Sequence, residues 1–280
     1  DNPRTLLNAE GELTTPSVLL FNGQSVIVGR EAELAKETQF HAIAEYPKRD
    51  LGKRSFHKQI EGFEYPPEAL LAFILNKLRL DAASQVGEFT KAVITVPAYF
   101  DEVRRKATQD AGYLAGIEVL DIINEPTAAA ITYGFQQGNE QSGSTVLVYD
   151  LGGGTFDVTI VRIERNEYQA LATDGDVQLG GVDWDQRIVD FISSEFIRTY
   201  GLDPRDDPKS TGRLRRNARS AKHSLTNAES CVIETQHQQQ SLSTTITRQQ
   251  FEDMTADLLE RTRFTTSRTV KTAGLTWDDI

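Results

Sequence analysis

Residues 146–161 read Val146-Leu-Val-Tyr-Asp150-Leu-Gly152-Gly153-Gly154-Thr155-Phe-Asp157-Val-Thr-Ile-Val161. Three adjacent glycines let the backbone turn tightly and aim N–H groups at an anion with no side chain in the way. Asp150 and Asp157 bracket the loop, and Thr155 adds a hydroxyl at its end. Carboxylates beside a phosphate cradle usually act through Mg²⁺ and its waters. A dinucleotide-binding turn would lead into a helix, whereas Val158–Ile163 alternates like the second arm of a hairpin. The P-loop pattern also fails, because no Gly-Lys-Ser/Thr closes the loop. The competing reading is a glycine-rich hairpin with no ligand, against which the two acids and the threonine weigh.

Working outward, Gln178-Leu-Gly180-Gly181-Val-Asp183-Trp-Asp185 places a second glycine pair just before a helix. Amides at a helix start suit phosphate, although a glycine turn with an aspartate cap reads the same way. Towards the N-terminus, Ser17–Phe21 and Ser25–Val28 flank Asn22-Gly23, a strong hairpin signal. Apolar residues at 70, 71, 74, 75 and 78 predict one helix face within 67–85. Lys91–Val96 reads as a short buried strand ended by Pro97. Asp101 caps a helix whose inner face is expected to hold Val103, Ala107, Ala111 and Leu114. A strand over 119–123 and an alanine-rich helix over 127–134 follow, then a polar linker at 136–144. Beyond it the pattern predicts strands at 145–150, 155–163 and near 167–173, with helices near 183–200, 212–224 and 249–273. Strands and helices intermix, so the class is α/β with two lobes.

Composition narrows the field. The 280 residues carry 41 acids and 30 basic side chains, a formal charge of −11. That balance argues against nonspecific binding to nucleic acid or to an anionic membrane, both of which need a positive field. No apolar run reaches the roughly 18 residues of a spanning helix. The one cysteine, Cys231, excludes an intrachain disulfide and a multi-cysteine metal cluster, as expected in a reducing, cytoplasmic setting.

The stretch Asp150–Asp157 resembles the second phosphate loop of the actin-like, ribonuclease H-like ATPase fold. Val96-Pro-Ala-Tyr-Phe100 and Asn124-Glu-Pro-Thr-Ala-Ala-Ala130 narrow the resemblance to the 70-kDa heat-shock protein (DnaK-type) chaperones, with Leu179–Asp183 and Ala221-Lys222 in matching order. The resemblance implies lobe I over 1–138, with a peripheral subdomain at about 18–65, and lobe II over 139–280, with one at about 180–257. It implies ATP or ADP held with Mg²⁺ and K⁺, and hydrolysis by an in-line water, in which positioning and charge stabilisation dominate. Lys48 matches the lysine that points at the γ-phosphate, Glu125 and Asp150 carboxylates on the metal's water shell, and Asp157 one near the nucleophilic water. Gly152, Gly153, Gly154 and Thr155 match the phosphate cradle; Gly180, Gly181 and Lys222 match nucleotide contacts. Pro97 and Arg105 match a pair that relays nucleotide state to a substrate domain. Implied partners are unfolded polypeptide, a J-domain co-chaperone and a nucleotide-exchange factor, in a cytoplasmic stress-response protein.

The bland readings stay open: Lys48 as a surface lysine, Glu125 as a charge at a helix N-terminus with Pro126 at its first turn, Arg105 as a helix-surface arginine. The chain also departs from the pattern. The family's first phosphate loop is expected before Asp1 and a second adenosine loop after Ile280, so both ends look like cuts, the fold reads as incomplete, and weak ATP binding is expected. Arg219 stands where the family has a ribose-contacting glutamate, and His223 replaces an arginine. Two alternatives therefore remain: a small-molecule kinase of the same fold, and a degenerate nucleotide-gated binding module without turnover.

Overall fold

A computed structural model describes residues 4–136, 143–164 and 167–280. The chain divides into two compact units, residues 1–144 with 161–170, and residues 145–160 with 171–280.

In the first unit, β1 (Val18–Asn22), β2 (Ser25–Val28) and β3 (Ile43–Glu45) form an antiparallel sheet ordered β2-β1-β3, with α1 (Arg30–Leu34) between β2 and β3. Asn22 pairs with Ser25, so the hairpin loop is Gly23-Gln24, and of the expected Asn-Gly pair only Gly23 takes positive φ. Leu19, Leu20, Ile43 and Ala44 are buried in a core shared with Leu70 and Ile74 of α2 (Pro67–Val86). The α2 stripe is narrower than expected, since Leu78 is exposed.

Next come β4 (Lys91–Val96), α3 (Glu102–Leu114), β5 (Glu118–Asn124) and α4 (Glu125–Gln136), with β4 and β5 parallel. Asp101 caps α3 as expected, accepting the Arg104 N–H at 2.9 Å. The expected inner face needs correction: Ala107, Thr108, Ala111 and Gly112 are buried, while Val103 and Leu114 face solvent. The small residues allow close approach, because a Cβ on Gly112 would sit 2.5 Å from Val119 Cγ2. β4 is likewise not buried. Only Val96 is covered and Val93 is half exposed, since among the described residues β4 pairs with β5 alone.

The expected linker at 136–144 lies mostly outside the described residues. After it, β6 (Ser144–Leu151), β7 (Phe156–Glu164) and β8 (Glu167–Asp176) form a sheet ordered β6-β7-β8. β7 does not alternate. As the middle strand it buries Phe156 through Val161 on both faces, so β6 and β7 are the expected neighbours across a tight turn but the expected alternation is absent.

The second unit continues with α5 (Gly181–Tyr200), α6 (Pro208–Ser224), β9 (Ser230–His237), β10 (Gln240–Thr247) and α7 (Arg248–Thr272). Ile188 and Ile192 of α5 and Leu214 and Ala218 of α6 meet Ile233 and Ile246 of the β9–β10 hairpin in one core. Asp207 starts α6 by accepting both the N–H and the hydroxyl of Ser210, at 2.8 and 2.7 Å; the same hydroxyl lies 3.1 Å from His237 Nδ1. On α7 a buried row of threonines (255, 262, 266 and 269) satisfies its hydroxyls on carbonyls one turn earlier.

The β9–β10 hairpin turns through Gln238 and Gln239, both left-handed at φ 45° and 66°. A two-residue turn of that kind favours Asn-Gly, and left-handed backbone costs an ordinary residue about 1 kcal/mol. Replacing Gln238-Gln239 by Asn-Gly should therefore stabilise the second unit by about 1 kcal/mol, seen as a rise in thermal midpoint. An unchanged or lowered midpoint would remove the strain argument.

Candidate functional site

The expected phosphate cradle lies in the second unit and is built from two glycine turns in backbone contact. Between β6 and β7 the chain reverses tightly, with the Gly152 N–H donating to the Thr155 carbonyl at 2.9 Å. A Cβ on Gly180 would lie 2.6 Å from Gly154 N and 2.7 Å from the carbonyl carbons of Gly153 and Gly154. Only glycine fits that approach. Gly181 N–H then donates to Gly152 O at 2.9 Å, and Val182 N–H to Gly153 O at 3.0 Å.

The Asp183 carboxylate accepts the Gly180 N–H at 2.8 Å. Three amides at the start of α5 are thus engaged inside the protein. The second glycine pair braces the first loop, where the sequence suggests amides offered to phosphate. Space remains at the loop's crown, since nothing lies within 4 Å of a Cβ built on Gly153. Beneath, Phe156, Val158, Leu179 and Leu258 form a buried cluster that holds both turns.

Lys222 reaches this place from α6. Its Nζ donates to the Gly181 carbonyl at 2.8 Å and pairs with Asp185 at 2.6 Å. Asp185 is not among the residues that sequence reasoning selects, although its spacing two residues after Asp183 puts it on the same helix turn. Asp150 is exposed at the end of β6, Thr155 is half buried, and Asp157 is buried at the start of β7. Arg219 and His223 are exposed on α6.

In the first unit, Lys48 and Glu125 are 77 positions apart in sequence, yet Lys48 Nζ meets the Glu125 carboxylate at 2.7 Å. Glu125 opens α4, where the helix N-terminus favours a carboxylate. Pro97 is buried at the end of β4. Arg105 binds the chain around it, donating to the carbonyls of Phe100 and Ala98 and, at 2.7 Å, to the Asn124 side chain beside Glu125. Arg105 is therefore not a plain helix-surface arginine.

Lys48 sits in a 3₁₀ turn, Pro47–Asp50, whose Asp50 is buried and accepts from Lys53 Nζ at 2.6 Å and from the His57 amide at 3.1 Å and ring Nδ1 at 2.5 Å. Sequence reasoning misses this carboxylate, because its partners become visible only when the loop closes.

In each unit a lysine suits a phosphate oxygen, while the carboxylates beside it suit a hard cation. Among the described residues no cluster of three or more His, Cys, Asp or Glu is arranged to hold a metal by itself. A cation here would depend on phosphate oxygens and waters, as Mg²⁺ commonly does.

This geometry can be tested in each unit. Gly180→Ala forces the two glycine turns apart and should destabilise the second unit by about 1–3 kcal/mol, the usual cost of overpacking, measured by urea unfolding; an unchanged midpoint would show that the turns can separate. Burial pushes the Asp50 carboxyl up, but hydrogen bonds from Lys53 and His57 outweigh it and hold it below its ordinary value. Its contribution is then complete above about pH 4 and is lost as pH falls through the lower folded value. Asp50→Asn should flatten the acid side of a melting-temperature profile; an identical slope in the variant would refute this.

Comparison with known proteins identifies the family. The family model described as Hsp70 protein matches residues 48–280. The chaperone protein DnaK of Deinococcus proteolyticus is 38% identical over an alignment of 309 residues, covering 99% of this chain and 48% of that relative. The chain thus spans about half the length of the curated relative it matches. On a match that runs through both units and includes every residue of the two site clusters, the chain belongs to the Hsp70 family.

Proposed function

We propose that this chain is the ATP-binding domain of an Hsp70-type molecular chaperone and that, in the longer protein, it hydrolyses ATP to control the grip on unfolded polypeptide. The observation that carries this reading is the stacking of Gly180 on the Gly152–Gly154 loop, with Lys222 fastened to the same turn. Such a loop would meet phosphate at its open crown around Gly153, while Lys222 and the amides that open α5 hold it in shape.

In this reading the chain forms lobe I over residues 1–138 and lobe II over 139–280. ATP supplies the reactive anhydride, and Mg²⁺, with K⁺, offsets the charge of its phosphates. Gly152–Gly154 and Thr155 hold the phosphates, and Lys222 anchors the turn beside them. Asp150 and Glu125 would face the water shell of a bound cation. Lys48 holds the γ-phosphate and the attacking water in line, and Asp157 fixes that water's orientation. Arg105 and Pro97 connect the Glu125 region to the β4–α3 loop and would carry nucleotide state to a substrate domain. The partners are a J-domain co-chaperone and an exchange factor, in a cytoplasmic stress-response protein.

The test is calorimetric binding of Mg-ATP by this chain and by a version extended at both ends, with phosphate release assayed alongside. The extended protein should bind ATP tightly and this chain weakly. Lys48→Ala in the extended protein should leave affinity within a few-fold while turnover drops on the order of 10²-fold, the loss expected when in-line geometry slips by about 1 Å. If neither version binds, the nucleotide reading falls. If both bind but phosphate passes to a hexose or acetate rather than to water, the small-molecule kinase reading replaces it. Exposed Arg219, in place of a ribose-contacting glutamate, favours the degenerate binding module should ATP bind without turnover.

A further inference from the structure

We propose that Asp50 is the positioning residue for Lys48: its buried carboxylate ties the two halves of the 46–57 loop together and so delivers the Lys48 ammonium to Glu125. The proposal rests on the reading of Lys48 as the lysine that serves the γ-phosphate.

The loop is built around this one carboxylate. It enters through Tyr46, a non-glycine residue in left-handed backbone at φ 60°. Such a conformation persists where its surroundings over-determine it. Pro47 fixes the next φ, and the Arg49 N–H closes the turn on the Tyr46 carbonyl at 3.0 Å, leaving Lys48 at its outer corner. Asp50 ends the turn. Its carbonyl accepts the Lys53 N–H at 2.9 Å and one carboxylate oxygen takes the Lys53 ammonium, while the other takes the His57 amide and ring.

The residues that follow Lys48's turn are held among buried neighbours. Leu51 and Phe56 are buried, and Gly52 packs against Val103 and Arg104 of α3. A carboxylate taken out of water is costly unless hydrogen bonds replace its solvent, and Asp50 has three. An apolar residue of the same size would fill the space more cheaply but could not hold Lys53 and His57 at fixed places. What the carboxylate adds is direction for the turn, and the side chain at that turn's corner is Lys48, which meets a partner 77 residues away.

The experiment uses this chain without nucleotide. Each lysine's reactivity is measured by trace acetylation with acetic anhydride and peptide mass spectrometry, in the native protein and in Asp50→Ala, Asp50→Asn, His57→Gln and Glu125→Gln variants. Glu125→Gln removes the partner directly and sets the ceiling, about three- to fivefold for a part-exposed ion pair. The Asp50 variants should raise Lys48 labelling towards that ceiling, His57→Gln part of the way, with Lys222 unchanged. Combining Asp50→Asn with Glu125→Gln should add nothing further.

The proposal is overturned if Lys48 labelling stays at the native level in the Asp50 variants, or if Lys222 and the other lysines rise in parallel, which marks a general loosening. Should Asp50→Ala fail to fold, Asp50→Asn and the exposed His57→Gln decide the matter alone. In the longer protein, Asp50→Asn should slow turnover with ATP affinity held, and should slow it no further in a Lys48→Ala background. Absence of any Lys48-dependent hydrolysis there would remove the ATPase reading, while the labelling result would still decide whether Asp50 positions Lys48.

Discussion

Two glycine turns of the second unit meet backbone to backbone, with no room between Gly180 and the Gly153–Gly154 peptide for even one carbon atom. That contact sets the geometry of the surrounding site. It locks the start of α5 to the end of β6, and α5 in turn is fixed by the Ile188 and Ile192 contacts to α6 and the β9–β10 hairpin. Lys222 projects from α6 and closes the circuit on the Gly181 carbonyl. The arrangement also has an electrostatic consequence. Gly181 and Val182 use up the carbonyl oxygens of Gly152 and Gly153. Those oxygens are the negative ends of the loop's peptide dipoles, so tying them down internally removes repulsion that an arriving anion would otherwise meet.

The first unit uses side-chain charge where the second uses backbone. The Lys48–Glu125 pair is part exposed, at 39% and 21% of the side chains, and such pairs contribute about 0–1 kcal/mol. Stability is therefore a poor account of why two residues 77 positions apart meet. A weak pair has a different use, because a ligand that brings an anion for the lysine and a cation for the carboxylate can replace it at little cost. The effort of positioning falls on the scaffold, on Asp50 beneath Lys48 and on Arg105, which stitches the Phe100 and Ala98 carbonyls to Asn124.

Local chemistry makes much of this legible in the sequence. The glycine triplet, the Asp101 cap, the Asn22-Gly23 hairpin and the long helical periods each depend on a few neighbouring residues. What stays hidden depends on distant partners. The β9–β10 hairpin escapes notice because Gln238-Gln239 stands where turn chemistry favours Asn-Gly. Hydrophobicity misassigns the inner face of α3 by favouring Val103 and Leu114. The packing instead requires small residues, with Gly112 pressed on Val119. β7 reads as half exposed because Asp157, Thr159 and Arg162 interrupt its apolar residues, yet the strand is covered on both sides, and Thr159 lies 3.1 Å from Thr173, hydroxyl to hydroxyl. Asp50 and Asp185 are invisible as site residues for the same reason: a carboxylate's role is set by which cation it meets.

For so acidic a chain, binding an anion would be a local problem, since a formal charge of −11 opposes approach. Here the site lysines do not stand as bare cations. Lys48 is matched by Glu125 and Lys222 by Asp185, so each resting pair is close to neutral. A phosphate that takes either lysine leaves a carboxylate without its counter-charge. An uncompensated carboxylate next to a phosphate is unfavourable until a cation arrives, and both groups are hard oxygen ligands of the kind Mg²⁺ accepts. Anion and cation binding at such pairs are linked, and linkage is reciprocal: each must raise the affinity for the other by the same factor. At either pair, a cation on the released carboxylate would therefore favour an anion on the lysine, and the reverse, so this coupling is built into each unit by itself.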